Sequence, residues 1–141
     1  MDKLNNFGLL VFRVSVGAFM LFGHGLDKFT YLLSGEEIRF PDPLGLGMTA
    51  SFTLAALTEF FGSILIILGI FTRLGSLSML VTMFVAAVIF HASDSFGDKE
   101  LALLYLISYI LLFLTGPGKY SLQRLVENKI GGKGFWKFLL S

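Results

Sequence analysis

"FRVSVGAFMLFGHGLDKF", residues 12–29, decides how the rest of this chain is read. Most of it is apolar all round, as a helix surrounded by lipid would be. Yet it carries Arg13 near one end and His24, Asp27 and Lys28 near the other. An unpaired arginine at membrane depth costs from about 3 to more than about 10 kcal/mol. The stretch therefore predicts a membrane helix and a partner for Arg13 at the same time.

Composition points the same way. The 141 residues are 55% hydrophobic and 15% charged, with a mean hydropathy of +0.78. A soluble domain of this length has too much surface relative to its core to hide so much apolar side chain. Four apolar runs stand out, at residues 7–26, 50–71, 74–91 and 101–115. The first three approach the ~20 residues that a spanning helix needs. The fourth does so if it starts at Asp98, a good N-cap residue, and stops at Gly116-Pro117-Gly118. The runs are continuous rather than alternating, and lipid admits only helices and closed barrels. The expected fold class is all-α: an integral membrane four-helix bundle. Arg13 inside the first run, and the lack of a small-residue cleavage site, argue against a signal peptide. The chain has no cysteine. That excludes disulfide exchange, thiolate metal sites, thiolate-held iron–sulfur clusters and CxxCH haem attachment.

Charge sets the expected orientation. Four spans place both termini on one side, with Lys3, Arg73, Lys119, Arg124, Lys129, Lys133 and Lys137. The opposite side has only Lys28, Arg39 and Lys99, beside the acidic Asp27, Glu36, Glu37, Asp42, Asp94, Asp98 and Glu100. By the positive-inside rule both termini are cytoplasmic. The basic residues then face anionic lipid, so membrane lipid is the expected partner and nucleic acid is not. Residues 1–122 form the transmembrane unit. Residues 123–141 form a basic, aromatic tail in which Trp136, between Lys133 and Lys137, is expected to anchor at the interface. Residues 30–49 make the one long loop, and its apolar side chains are expected to fold back on the outer membrane face. His24 and His91, each near the outer end of its helix, hint at a twofold repeat that the remaining sequence does not continue.

Arg13 and Glu59 are the charges deepest in the expected helices. At 1.5 Å per residue they lie ~20 and ~14 Å from the outer ends of their runs, close enough for a pair near mid-membrane. At 100° per residue Arg13, Gly17, His24 and Lys28 share one stripe, and Ala55, Glu59, Gly62 and Ile66 share another that Gly69 and Arg73 continue. Gly17, Gly62 and Gly69 mark faces where helices pack closely. The expectation is one outward-opening polar pocket lined by Arg13, His24, Lys28, Glu59 and His91. Blander readings stand beside it. The Arg13–Glu59 pair can be a packing pin, the histidines can be merely solvated, and Asp27–Lys28 can be a helix-end pair in water. No ligand spacing supports a metal site.

The segments "FRVSVGAFMLFGHGLDKF", "EFFGSILIILGIFTRLGS", the helix ending at His91 and "LALLYLISYILLFLTGPGKYSL" together resemble the DoxX family of small bacterial membrane proteins, over residues 7–122. The resemblance implies a four-helix fold in the cytoplasmic (inner) membrane. It carries over Arg13, His24, Gly25, Lys28, Glu59, Gly62, Gly69, Arg73 and His91. It also implies association with quinone, oxidative-stress or thiol-redox partners. With no thiol and no dinucleotide fingerprint the chain holds no electrons itself, so a redox role means binding quinone or docking a partner that carries the redox centre. The competing class is non-enzymatic: a membrane scaffold, or a small-solute carrier that needs a homo-oligomer.

Overall fold

The computed structural model describes residues 3–126. The tail from residue 127, with Trp136, lies outside the described residues. Helix α1 (Lys3–Met20) runs through a π-helical turn (Leu21–Gly25) straight into α2 (Leu26–Ser34). Together they form one rod of 32 residues. Helix α3 is Met48–Leu68, α4 is Thr72–Phe84 prolonged by a π-helical segment (Val85–Phe90), α5 is Phe96–Thr115, and α6 is the short Gln123–Val126. There is no strand among the described residues.

Among the described residues three rods are long and apolar enough to cross a membrane: Lys3–Ser34, Met48–Leu68 and Thr72–Phe90. α5 has 20 residues, but Asp98, Lys99 and Glu100 occupy its first turns. Large apolar side chains such as Phe19, Phe22, Phe61, Val81, Ile107 and Leu114 point outward and are exposed. The core between the rods is narrow: Leu9, Met20, Ile66, Met79, Met83, Tyr109 and Leu112. A helix set greasier outside than its small core requires is built for lipid rather than water.

α4 packs on both α3 and α5, and α1 packs on α3 and more lightly on α5. Small residues set the crossings. A Cβ on Gly17 would lie 2.6 Å from Ile67 Cγ1, and one on Gly62 would lie 3.0 Å from Met79 Cγ. Gly69 ends α3 with φ +70°, its N–H donating to Leu65 O and Ile66 O while Ile70 N–H also donates to Leu65 O. This left-handed cap suits glycine and turns the chain directly into α4. The two ends of the bundle differ. One, the terminal end, holds the start of α1, the α3–α4 turn and residues 116–123. The other, the loop end, holds residues 35–47 and 91–95.

The long loop is tied to α3. Asp42 accepts hydrogen bonds from Leu46 N–H (2.9 Å), Gly47 N–H (2.8 Å) and Ser51 Oγ (2.7 Å). Gly47, the N-cap of α3, has no side chain to do this. The Ser51 hydroxyl, followed by the Gly47 amide, holds the Asp42 carboxyl below its ordinary value. A depressed carboxyl adds stability above the ordinary range and loses it as pH falls through the lowered value. Hydrogen-exchange protection of the Leu46 and Gly47 amides should fall in acid in the wild type. Asp42→Asn should lower it throughout and abolish the pH step. The Phe40 and Tyr31 rings both meet Phe52 of α3 edge-on, at 5.2 and 5.6 Å, so the loop lies over the start of that helix.

Candidate functional site

At the loop end, α3 and α4 diverge around a cavity of about 550 Å³. Leu54, Ala55, Val81, Val85 and Ala86 form apolar walls, and Phe40, Pro41, Pro43 and Leu44 lie over it. Ser51, Thr58, Ser78 and Thr82 supply hydroxyls, and Lys28, Glu59 and His91 supply the ionisable groups.

Its chemical centre is Lys28–Glu59. Lys28 Nζ donates to both carboxylate oxygens, at 2.6 and 2.7 Å. Glu59 is 2% exposed, whereas the Lys28 side chain is 26% exposed. Gly25 makes the pair possible. A Cβ there would lie 2.9 Å from the Glu59 carbonyl carbon, so the rod presses against α3 and Lys28, three residues on, reaches across. Ser63 donates to the Glu59 carbonyl at 2.5 Å. Lys28 Nζ also stands 5.9 Å from the Phe40 ring centre, a cation–π distance. His91 comes directly after the π segment, and its Nδ1 lies 2.7 Å from Asp94 Oδ2. That bond leaves the other ring nitrogen free to face a ligand.

The expected Arg13–Glu59 pair does not form. Arg13 is buried at the terminal end, where Nη1 donates to Pro117 O and Nη2 to Tyr120 O, both at 2.9 Å. It packs so tightly on Gly69 that a Cβ there would lie 1.8 Å from Nη1. Glu59 sits ten residues further along α3, about 15 Å away along the axis. The reason lies in helix length. The apolar run ends at Leu26 but the rod continues to Ser34. Arg13 is thus about 32 Å from the rod's loop end, against about 17 Å for Glu59 from the start of α3.

The expected stripe is also broken. A regular helix would carry Arg13, Gly17, His24 and Lys28 on one face. The π turn inserts extra backbone at residues 21–25 and rotates the helix beyond it. Lys28 then faces Glu59 on α3, while His24 meets Tyr105 of α5 edge-on at 6.1 Å. His24 and Arg13 do not line the cavity, and the single five-residue pocket is replaced by three sites. Lys28 pairs with Glu59 rather than with Asp27.

Sequence reasoning missed the second arginine cluster. Arg73 Nε donates to Phe113 O at 3.0 Å, and its guanidinium lies against Gly116. Lys119 N–H donates to Asn6 Oδ1, and Gln123 Oε1 accepts from Phe71 N–H. Arg73 thus serves a carbonyl in the last turn of α5, which helical bonding leaves unpaired and the helix dipole makes negative, and Arg13 serves two carbonyls of the turns beyond it. The two positive-φ glycines in "TGPGKYSL", Gly116 and Gly118, were the visible signal. Among the described residues no three His, Asp or Glu side chains gather as a metal site requires.

Fold and site together define a helical membrane protein with one charge pair set in an apolar cavity and two arginines locking the far end. The DoxX family profile matches residues 8–92, more than half of the sequence, and the chain belongs to the DoxX family. It is similar to an uncharacterized protein of Haemophilus influenzae, 30% identical over 138 residues that cover 93% of this chain and 91% of the relative. It is also similar to inner membrane protein YqjF of Escherichia coli (strain K12), 28% identical over 133 residues that cover 92% of this chain and 99% of the relative. No solved structure matches the chain.

Proposed function

We propose that this chain is a multi-pass protein of the inner membrane that binds a quinone in the loop-end cavity, as a subunit of a redox assembly whose electrons reside in a partner protein. α5 is the fourth span, its charged first turns lying at the interface, so both termini and the basic terminal end face the cytoplasm. The observation that carries the reading is Lys28–Glu59 at the edge of an apolar cavity large enough for a small ring compound. A quinone needs greasy walls and a donor at each carbonyl. Lys28 is one such donor and the imidazolium form of His91, whose Nδ1–H is held by Asp94, is the other, and Glu59 can hold or pass a proton beside them. The name YqjF carries, inner membrane protein, supports the location alone.

The test is mass spectrometry of protein extracted gently from its native membrane, in wild type and Ala86→Phe. The substitution fills the cavity from a wall and leaves the ion pair untouched. Quinone should accompany the wild type and fall by about tenfold or more in the variant, since overfilling a site removes binding outright. Equal quinone in both, or a stable protein partner with no quinone in either, would refute the quinone reading and favour a scaffold.

A further inference from the structure

A second hollow runs along the outside of the bundle between α3 and α4. It is lined by Leu57, Phe61, Gly62, Leu65, Leu74 and Gly75, and it begins at Thr58 and Ser78. Those same two residues wall the loop-end cavity. Cavity and groove therefore abut at Thr58 and Ser78. At its floor Gly62 and Gly75 let α3 and α4 touch, a Cβ on Gly75 lying 3.3 Å from Gly62 O, and the groove is the seam beside that contact, between rims of Leu57, Phe61 and Leu74. It extends from Thr58 to Leu65, about 10 Å along α3. Its hydroxyls are confined to Thr58 and Ser78 at the cavity mouth, and the rest offers nothing to a polar group. Leu57, Phe61 and Leu74 on its rims are exposed, so it opens sideways toward lipid rather than toward water.

We infer that the groove between α3 and α4 holds the apolar tail of the molecule whose head occupies the cavity. The ligand is then a single-tailed amphiphile drawn laterally from the bilayer, not a solute admitted from the aqueous side. This rests on the cavity being a ligand site. The polarity gradient orients the occupant. Charged and imidazole groups lie at one end, two hydroxyls at the junction, and hydrocarbon beyond. The trough suits one alkyl or isoprenoid chain, and the close crossing at Gly62 and Gly75 leaves no second channel beside it.

The experiment uses the full chain in lipid nanodiscs and two probes with one head: dimethoxy-methyl-benzoquinone without a tail, and its decyl derivative. Affinities are measured for wild type, Leu74→Trp and Leu57→Trp. Both substitutions fall on exposed groove rims and touch neither the ion pair nor the cavity. The decyl probe should bind wild type at least about tenfold more tightly than the tailless one, from burial of its methylenes. Either tryptophan should erase most of that advantage while leaving tailless binding unchanged. Partition of the probe into lipid is the same for all three proteins, so it cannot imitate the difference. If the decyl advantage survives both tryptophans, the groove does not hold the tail, and the cavity reading stands alone. If neither probe binds wild type, the cavity reading itself falls and the inference with it.

Discussion

Replacing Arg13 with methionine should be among the most damaging single changes in the protein, at about 3–5 kcal/mol of stability. Two charge-assisted hydrogen bonds, to Pro117 O and Tyr120 O, are lost at about 1.5–3 kcal/mol each. The two carbonyls lose these donors in a part-buried setting, so water recovers the loss only in part. Residues 116–123 then lose two ties to α1 and keep that of Lys119 N–H to Asn6 Oδ1. Thermal unfolding in detergent should shift down by about 10 °C or more, and limited proteolysis should cut near Pro117. Arg13→Lys should recover only part of this. An ammonium keeps the charge but cannot present two parallel donors to two separated carbonyls. The charge-swapped double variant Arg13→Glu with Glu59→Arg should be at least as unstable as either single change. A swap that restores stability would mean the two groups pair in the membrane after all.

The second large effect concerns Lys28 and Glu59, and its signature is asymmetry. Lys28→Met leaves the Glu59 carboxylate buried without a counter-ion, and breaking a buried pair in this way costs about 3–5 kcal/mol. Glu59→Gln leaves an ammonium whose side chain is 26% exposed. Water can reach it, so the loss should be smaller, about 1–2 kcal/mol after allowing for that screening. Removing both charges with Lys28→Met and Glu59→Leu should return most of the stability, because apolar replacements for a buried pair are often neutral. The double variant should then be folded and yet bind no quinone. Denaturation of the wild type, Lys28→Met, Glu59→Leu and the variant carrying both completes a cycle, and a coupling energy near zero would show that the pair contributes nothing to the fold.

The contrast between these charged sites explains what could be read from the sequence. Helix class and membrane placement follow from apolar runs whose length is fixed by the bilayer, and these survive any error in detail. Glu59 was legible as a buried charge because it is the one charged residue in the apolar run 50–71. Its partner was not. Two facts hid it: the first helix continues past its apolar run into Asp27 and Lys28, and a π turn at Leu21–Gly25 rotates the face on which Lys28 sits. No residue in "LFGHG" forbids a regular helix, although Gly23 and Gly25 weaken one, and the turn ends where Gly25 packs against Glu59. Arg13 misled for another reason. Side-chain charges are visible in a sequence, but its true acceptors are backbone carbonyls, which every residue carries and none advertises. The cavity was legible only in part. Lys28, Glu59 and His91 were named, while the hydroxyls of Ser51, Thr58, Ser78 and Thr82 were hidden among ordinary helix positions.

The proposed function turns on a membrane-borne quinone having its head between α3 and α4 at the loop end, beside Lys28 and Glu59. Photolabelling in native membranes probes that placement directly, using a quinone whose ring carries a diazirine, with peptide mapping of the adducts. Adducts should be confined to the cavity lining, Lys28 and residues 40–46, 51–59 and 78–91, and should be competed away by unlabelled quinone. Adducts spread over the lipid-facing surfaces of α1 and α5, or unaffected by competitor, would place the quinone elsewhere and overturn the assignment.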